Sequence, residues 1–589
     1  MYNKKHTIYQ VFTRLFGNQN TNNKPWGTIE ENGVGKFSDF TDKALSEIKD
    51  LGITHIWYTG VPHHAVINDY QEVGITQDHP SVVKGRAGSP YAVKDYYSVN
   101  PDLADNPEKR VEEFEALIKR SHDNGLQVII DIVPNHVARQ YRGNHNPAGV
   151  EDFGASDDTS VEYHRENNFY YIPDSQFELP DIDPAFTPLG GEAHPCLEVP
   201  FVEKPAKWTG NGSRLAKPNF DDWYETVKIN YGIKPDGSKD FPELPQGYEE
   251  KDYVEHYNYW QQFDVPSSWV KFRDIALYWI AKGVDGFRYD MAEMVPVEFW
   301  SYLNSSIKMR KSDAFLMAEV YQPNLYRDYI RLGKMDYLYD KVDLYDGLKE
   351  IMQGKASTAI IPEIQGKMQD IEHHMLHFLD NHDEQRVASP EFAGNPEMAK
   401  PAMLVSALIS SSPTMLYFGQ EVGEAGAENA GFGQPSRTSI FDYIGVPQHQ
   451  KWMNHGKFDG GLLNESEIAL RNFYKRIMNF TLEHSSMTGE YVDLFANGEL
   501  SDTSHAFLRY DANELVIATS RFATQGNDSI KVTIPEEHVS SMNLADGTYA
   551  LEEKIEGLET QSLTVDNGIG YFSCELKPLA ALAWVLKLK

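Results

Sequence analysis

The sequence of 589 residues predicts an α/β protein: a parallel β/α barrel, interrupted by an inserted domain and followed by an antiparallel β-sandwich. Three observations predict this fold. Strand-like and helical segments alternate through residues 1–137 and 263–487, the alternation stops in residues 138–262, and residues 488–589 contain short strands joined by turns. Alternation of strands and helices is typical of a parallel sheet covered by helices. We therefore predict three structural units with these boundaries.

The first part of the barrel shows the alternation directly. A helical stretch over Asp42–Asp50 precedes the strand-like run Ile53–Trp57. The helix predicted over Glu108–Asn124 has its apolar residues on one face and stops at Gly125, a residue type that commonly terminates helices. These elements are the βα repeats that a parallel barrel requires.

Residues 138–262 interrupt this pattern. They are rich in Gly, Pro, Asn and Asp, with aromatic clusters at Phe169–Tyr171 and Asp222–Tyr224. A structureless loop of this length is rare inside a compact domain, so we expect a small inserted domain. Helical periodicity resumes at Pro266, a residue type suited to the start of a helix, and the barrel continues from there.

Four strand-like segments are each followed at once by acidic, amide or imidazole side chains. They are Val128–Pro134 before Asn135 and His136, Gly283–Asp290, which ends on the pair Arg288 and Asp290, Phe315–Ala318 before Glu319, and Met375–Leu379 before Asp380–Asp383. A parallel barrel collects such residues at one rim, where its strands end. Arg288 and Asp290 alone would be interpreted as a buried salt bridge; with the other three segments, they predict an active site.

Composition and charge exclude several classes of function. A net charge of −33 argues against nucleic-acid binding, which depends chiefly on Lys and Arg. There is no run of roughly 20 apolar residues, so we expect no membrane span. Cys196 and Cys574 are expected to be free thiols. The first residues lack a signal-peptide core, which predicts a cytoplasmic protein unless a leader precedes this sequence.

Four short motifs resemble the four sequence signatures of the α-amylase family, glycoside hydrolase family 13, and occur in that family's order. They are Asp131–His136, Gly286–Asp290, Ala318–Val320 and Phe378–Asp383, with further matches from Tyr9–Phe12 to Pro413–Gln420. The resemblance implies a (β/α)8 TIM barrel (domain A), an inserted domain B after the third strand, and a C-terminal β-sandwich (domain C).

The resemblance also implies catalytic roles. Asp290 would be the nucleophile, Glu319 the general acid and then base, and Asp383 the third carboxylate, which holds sugar hydroxyls and stabilises a cationic transition state. Arg288 would keep Asp290 ionised. Retaining cleavage needs an attacking and a protonating carboxyl group about 5–5.5 Å apart, and Asp290 and Glu319 end successive strands.

Further residues match the family's sugar-binding positions. His136 and His382 would hydrogen-bond the sugar at the cleaved bond, and Tyr91 would stack on it. Arg288 and Arg386 are further candidates for substrate binding. For Tyr91 and Arg386 the sequence leaves a purely structural role open, since a lone tyrosine is often part of a core.

A structural calcium ion is the one metal that the resemblance suggests. Asn135 matches the family's asparagine ligand, and Asp181, in Leu179–Asp183, resembles an aspartate ligand; oxygen ligands of this kind suit calcium. However, Glu293 and Met294 replace the family's Lys-His pair after the nucleophile. A backbone carbonyl could still serve there, so calcium stays open, and no cofactor is expected for the chemistry.

We therefore expect a retaining α-glucan hydrolase that acts on α-1,4 bonds of maltooligosaccharides or starch-like chains. Three alternatives use the same scaffold: a transglycosylase, a trehalose-forming isomerase and an α-1,6-glucosidase. A more distant alternative is a non-catalytic carbohydrate-binding relative. The sequence leaves open the oligomeric state and whether cleavage is internal or from a chain end.

Overall fold

Eight parallel strands form a closed barrel in the structure, a computed structural model that describes residues 5–588. The strands are β1 (Thr7–Phe12), β2 (His55–Thr59), β3 (Gln127–Ile132), β4 (Gly286–Tyr289), β5 (Phe315–Ala318), β6 (Tyr337–Tyr339), β7 (Met375–Leu376) and β8 (Thr414–Tyr417). Neighbours pair in the order β7-β6-β5-β4-β3-β2-β1-β8. A parallel bridge between His377, directly after β7, and Thr414 closes the ring. The predicted parallel barrel is confirmed.

Helices cover the outside of the barrel. The main ones are α1 (Asp42–Asp50), α2 (Arg110–Asp123), α3 (Ser267–Ala281), α4 (Val297–Arg310), α5 (Tyr326–Arg331), α6 (Ile360–Met368), α7 (Ala399–Leu408) and α8 (Glu465–Glu483). Strands β1, β2 and β8 are buried along their whole length, as expected for strands covered on both faces. Within residues 5–588, no helix has the length and apolar character needed to span a membrane.

Several element bounds differ from the predicted ones; among the strands, β4 begins at Gly286 and β7 ends at Leu376. The helix predicted over Glu108–Asn124 begins at Arg110, because Pro107–Lys109 forms a 3-10 turn in front of it. The strand predicted over Ile53–Trp57 lies at His55–Thr59. Helix α8 begins at Glu465 because Asn464 caps its first turn, with Glu467 completing a capping box.

The segment between β3 and α3 contains little regular structure. Two short antiparallel pairs join His136–Ala138 to Thr226–Lys228 and Tyr171–Ile172 to Ala206–Lys207. Near its end, the helix Tyr253–Trp260 packs on α4: the ring nitrogens of His256 and Trp260 lie 2.7 Å from the Ser301 hydroxyl. The segment is therefore attached to the barrel at both of its ends.

An antiparallel β-sandwich follows α8. Its strands are β9 (Glu490–Asp493), β10 (Gly498–Glu499), β11 (Ser504–Tyr510), β12 (Glu514–Arg521), β13 (Asp528–Ile534), β14 (Gly547–Glu553), β15 (Gln561–Asp566), β16 (Ile569–Leu576) and β17 (Ala581–Lys587). They pair in the order β9-β11-β12-β17-β14-β15-β16-β13-β10. Burial alternates along β13, β15 and β16, so these strands turn one face inward onto a separate hydrophobic core. The predicted sandwich is confirmed.

Candidate active site

Three carboxyl groups line one cavity at the C-terminal ends of the barrel strands. Asp290 directly follows β4, Glu319 directly follows β5, and Asp383 lies in the loop after β7. All three were predicted from the strand ends, and the structure brings them together. The cavity is also lined by Tyr91 and His136 and by side chains from the inserted segment and from the loop after β8.

Arg288 joins two of these acids. Its guanidinium is fully buried. Nη1 donates to Oδ1 of Asp290 and Nη2 donates to Oε2 of Glu319, each at 2.8 Å. The backbone N–H of Met291 donates to the same Glu319 oxygen at 3.0 Å. Both carboxyl groups are therefore held in fixed orientations on the two nitrogens of one side chain.

The acids around Arg288 share more negative charge than it can neutralise. Burial raises the pKa of Asp290 well above its usual value; Arg288 opposes this rise, and the charge of Glu319 adds to it. Burial also raises the pKa of Asp131, whose Oδ1 lies 3.5 Å from Arg288 Nη1. Arg288 favours the ionised form of Asp290, whereas burial and the charge of Glu319 favour the protonated form.

The pKa of Asp383 shifts in the opposite direction. His382 Nε2 lies 2.9 Å from Asp383 Oδ2, and the amide of Gln10 donates to His382 Nδ1 at 2.8 Å. A ring that accepts at Nδ1 carries its proton on Nε2, which faces Asp383 and the Tyr91 hydroxyl. Burial raises the pKa of Asp383, but His382 and the nearby arginines outweigh it and bring the pKa below its usual value. Asp383 is thus held as a carboxylate.

The two predicted substrate-binding arginines do not reach the cavity. Arg288 and Arg386 are both fully buried. Arg386 donates through Nε to Thr438 Oγ1 and through Nη1 to the carbonyl of Phe418, each at 2.9 Å. Burial behind the cavity wall prevents direct contact with a sugar, so we correct their interpretation: Arg288 orients the carboxyl groups and Arg386 fixes loops.

One wall of the cavity was missed by sequence reasoning. Trp223 stands beside His136, with their ring centres 5.4 Å apart, and Lys84 forms a salt bridge of 2.7 Å with Glu225. Phe441, from the loop after β8, lies on the same cavity. The cluster Asp222–Tyr224 was the only sequence signal for this wall, since aromatic clusters in a Gly/Pro-rich segment are compatible with sugar binding.

The two predicted calcium ligands lie in different surroundings and have different partners. Asn135 is fully buried, and its Oδ1 accepts a hydrogen bond from Nζ of Lys228. Asp181 is turned to solvent, with a side chain 95% exposed that pairs with Lys217 at 2.7 Å. Across residues 5–588, no group of three or more His, Cys, Asp or Glu side chains is arranged to hold a metal ion.

Comparison with known proteins gives the same family over most of the barrel. The family model described as "Alpha amylase, catalytic domain" matches residues 10–175 and 248–457, more than half of the chain. The second matched range contains all three carboxyl groups. The unmatched gap falls within the inserted segment.

Curated relatives are similar at low identity. "Alpha-amylase 3" of Dictyoglomus thermophilum is 22% identical over 445 residues, covering 72% of this chain and 65% of that protein. A cyclomaltodextrinase of Thermoanaerobacter pseudethanolicus is 22% identical over 534 residues, covering 88% of this chain and 70% of that protein. The chain thus spans about two thirds of the length of these relatives.

A solved structure shares the whole architecture. The crystal structure of a cyclomaltodextrin glucanotransferase "with a three-domain ABC distribution" superposes with a TM-score of 0.61 at 14% identity, covering 99% of each chain. At this identity the similarity shows the fold alone. It extends over barrel, insertion and sandwich together.

Proposed function

The chain belongs to the alpha-amylase family, and from this premise we propose that it is a retaining hydrolase of α-1,4-linked glucans such as maltooligosaccharides. The observation that carries the proposal is the guanidinium of Arg288, which holds Asp290 and Glu319 on its two nitrogens at the wall of one cavity. Retaining cleavage needs two neighbouring carboxyl groups, one to attack the anomeric carbon and one to protonate the leaving oxygen.

In the proposed first step, Glu319 gives its proton to the glycosidic oxygen while a carboxylate oxygen of Asp290 attacks the anomeric carbon. The bond from that carbon to the leaving oxygen breaks, and a bond to Asp290 forms. The leaving sugar departs with a hydroxyl group. Glu319 is then a carboxylate, stabilised by Arg288 and by the N–H of Met291.

In the second step, Glu319 removes a proton from water, and the water oxygen attacks the anomeric carbon. The bond to Asp290 breaks, its carboxylate is restored, and the product keeps the original anomeric configuration. Glu319 recovers its proton. Both steps use only these two side chains and water, so the proposal requires no cofactor.

The remaining cavity side chains support recognition of a sugar. Asp383, held ionised beside His382, would accept hydrogen bonds from sugar hydroxyls and stabilise positive charge at the anomeric carbon. Tyr91 and Trp223 provide aromatic faces, which pack well on the apolar face of a pyranose. Neutral hydroxyl-rich ligands also suit a protein with a net charge of −33.

Transfer of the sugar to another hydroxyl is the second candidate. The covalent intermediate on Asp290 can be released by an acceptor sugar instead of water, and the similar glucanotransferase structure has the same three domains. Incubation with maltoheptaose, with and without excess acceptor sugar, separates the two. Products no longer than the substrate favour hydrolysis; longer products favour transfer.

The proposal is tested by replacing each carboxyl group. We expect Asp290→Asn to lower turnover of maltoheptaose by roughly four orders of magnitude or more, because no nucleophile remains. Glu319→Gln should lower it by about 10²–10⁴-fold, the usual contribution of a general acid. Asp290→Asn should still bind maltoheptaose in isothermal titration calorimetry.

Asp313→Asn is the matched control. Asp313 precedes β5, at the opposite end of the barrel, and its side chain is 69% exposed. This variant should keep full activity. If Asp290→Asn turned over maltoheptaose at the rate of the unmodified protein, the proposal would be wrong.

A further inference from the structure

Lys228 lies at the junction between the inserted segment and the barrel. It ends the strand Thr226–Lys228, opposite His136 in the pairing. Its Nζ donates to Oδ1 of Asn135, in the loop after β3, and to the backbone carbonyl of Met294, after β4, at 3.2 Å. One ammonium group thus joins three segments that are distant in sequence.

The two acceptors are oxygens that the family resemblance suggests as calcium ligands. Asn135 is the predicted side-chain ligand, and Met294 stands where the sequence left a backbone carbonyl as a ligand. An ion bound to both would need distances of about 2.3–2.6 Å to each oxygen. It would have to occupy the space of the Lys228 ammonium, and the two positive charges would repel each other.

The rest of the donor set does not fit a calcium ion either. Calcium takes six to eight oxygen ligands, usually with carboxylates among them. Asp181, the predicted carboxylate ligand, faces solvent and pairs with Lys217. An ammonium group requires only a few acceptors, and here two of them come from the barrel loops.

We propose that the ammonium of Lys228 takes the place of a structural divalent cation in this chain and holds the inserted segment on the barrel without a metal ion. The positive charge needed between the loops after β3 and β4 is then part of the polypeptide. It cannot be removed by a chelator.

The same contact positions a cavity residue. With Oδ1 of Asn135 held by Lys228, the amide nitrogen of Asn135 donates to the carbonyl of Gly210 at 2.9 Å and to His136 Nδ1 at 3.0 Å. His136 lines the cavity. Lys228 is therefore a positioning residue for His136, a part of the inference that rests on the proposed function, whereas its role in stability does not.

The test measures thermal unfolding, which does not depend on activity. The unmodified protein, unfolded by differential scanning calorimetry, should give the same Tm in excess EDTA and in millimolar calcium chloride. Mass spectrometry of the metal content after gel filtration should find less than one calcium per chain. Lys228→Met should lower the Tm by several degrees, because the buried oxygen of Asn135 and the carbonyl of Met294 lose their donor.

Lys217→Met is the matched control. Lys217 belongs to the same inserted segment, but its side chain is 47% exposed and its partner Asp181 faces solvent. Its replacement should leave the Tm unchanged. A fall in the Tm of the unmodified protein in EDTA, reversed by calcium, would overturn the proposal, as would a Tm for Lys228→Met equal to that of the control.

Discussion

At the scale of single residues, the charge balance around Arg288 explains how the site can hold a proton. One buried guanidinium faces three buried carboxyl groups, those of Asp131, Asp290 and Glu319. A single positive charge cannot compensate three negative ones at low solvent exposure, so the cluster favours keeping a proton. Sequence spacing alone revealed the pairing with Asp290 but not the excess of acids.

The role of Arg288 predicts a shift in the pH dependence of activity. Arg288 lowers the pKa of Asp290 against the effect of burial, so its removal should raise that pKa further. Since Asp290 must be ionised to attack, the acidic limb of kcat/KM should move to higher pH in Arg288→Met. Arg288→Lys keeps the charge but loses the paired hydrogen bonds, so the limb should move less, with a fall in kcat/KM of about 10–100-fold.

Arg273→Lys is the control for this experiment. Arg273 lies on α3 and pairs with Asp274 at 2.7 Å, outside the cavity. The pH dependence of kcat/KM of Arg273→Lys should match that of the unmodified protein. An acidic limb that stays in place in Arg288→Met would contradict the assigned role of the guanidinium.

At the scale of elements, a pair of three-residue strands organises one side of the cavity. His136–Ala138 and Thr226–Lys228 form this pair, and the turn before the second strand carries Trp223. Trp223 has a φ of 49°, in the left-handed region, and both the N–H and the hydroxyl of Thr226 donate to its carbonyl at 2.9 Å. This turn directs the indole towards His136.

Trp223 is predicted to bind substrate more than it assists the chemistry. We expect Trp223→Ala to raise KM for maltoheptaose by about tenfold with a smaller change in kcat, because an aromatic contact contributes about 0.5–1.5 kcal/mol to binding. Trp223→Phe should restore most of the affinity, since it keeps an aromatic face. Steady-state kinetics on the two variants measure this difference. A fall in kcat with unchanged KM would contradict the prediction.

At this scale it is also clearest which features could be predicted from the sequence and which could not. Several barrel strands were predictable because they contain apolar runs, and Asp290 and Glu319 follow β4 and β5 without any intervening loop. Trp223 and Lys228 lie in a segment without helical or strand periodicity, and their partners His136 and Asn135 are about ninety residues away. Only the three-dimensional structure, which brings distant residues together, shows which side chains of this segment contact the barrel.

At the scale of the whole molecule, buried ionic and polar contacts join the units. Arg509 of β11 is buried and donates to the carbonyl of Ile409, at the end of α7, at 2.9 Å. Glu514, at the start of β12, accepts hydrogen bonds from the N–H and hydroxyl of Ser486, just after α8, each at 3.1 Å. The sandwich is therefore fixed to two barrel helices. The sequence indicated the sandwich but contained no sign of these contacts, which depend on single side chains.

Glu514 makes the attachment of the sandwich sensitive to acid. Burial raises its pKa, but His484, Lys587 and the N–H of Ser486 outweigh this and lower the pKa from 4.5 to about 2. A carboxyl group with a depressed pKa in the folded protein stabilises it above its unfolded pKa, and that contribution is lost as the pH falls towards the folded pKa. The stabilisation should therefore be complete near neutral pH and disappear between about pH 4.5 and 2.

We expect Glu514→Gln to lower the Tm at pH 7 by several degrees, because charge-assisted hydrogen bonds each contribute about 1.5–3 kcal/mol. The difference from the unmodified protein should shrink as the pH is lowered from 4.5 towards 2, where Glu514 itself becomes protonated. Glu499→Gln, in the same sandwich but 77% exposed, should show no difference at any pH. A Tm difference for Glu514→Gln that stayed constant down to pH 2 would mean that the side chain acts through its shape rather than its charge.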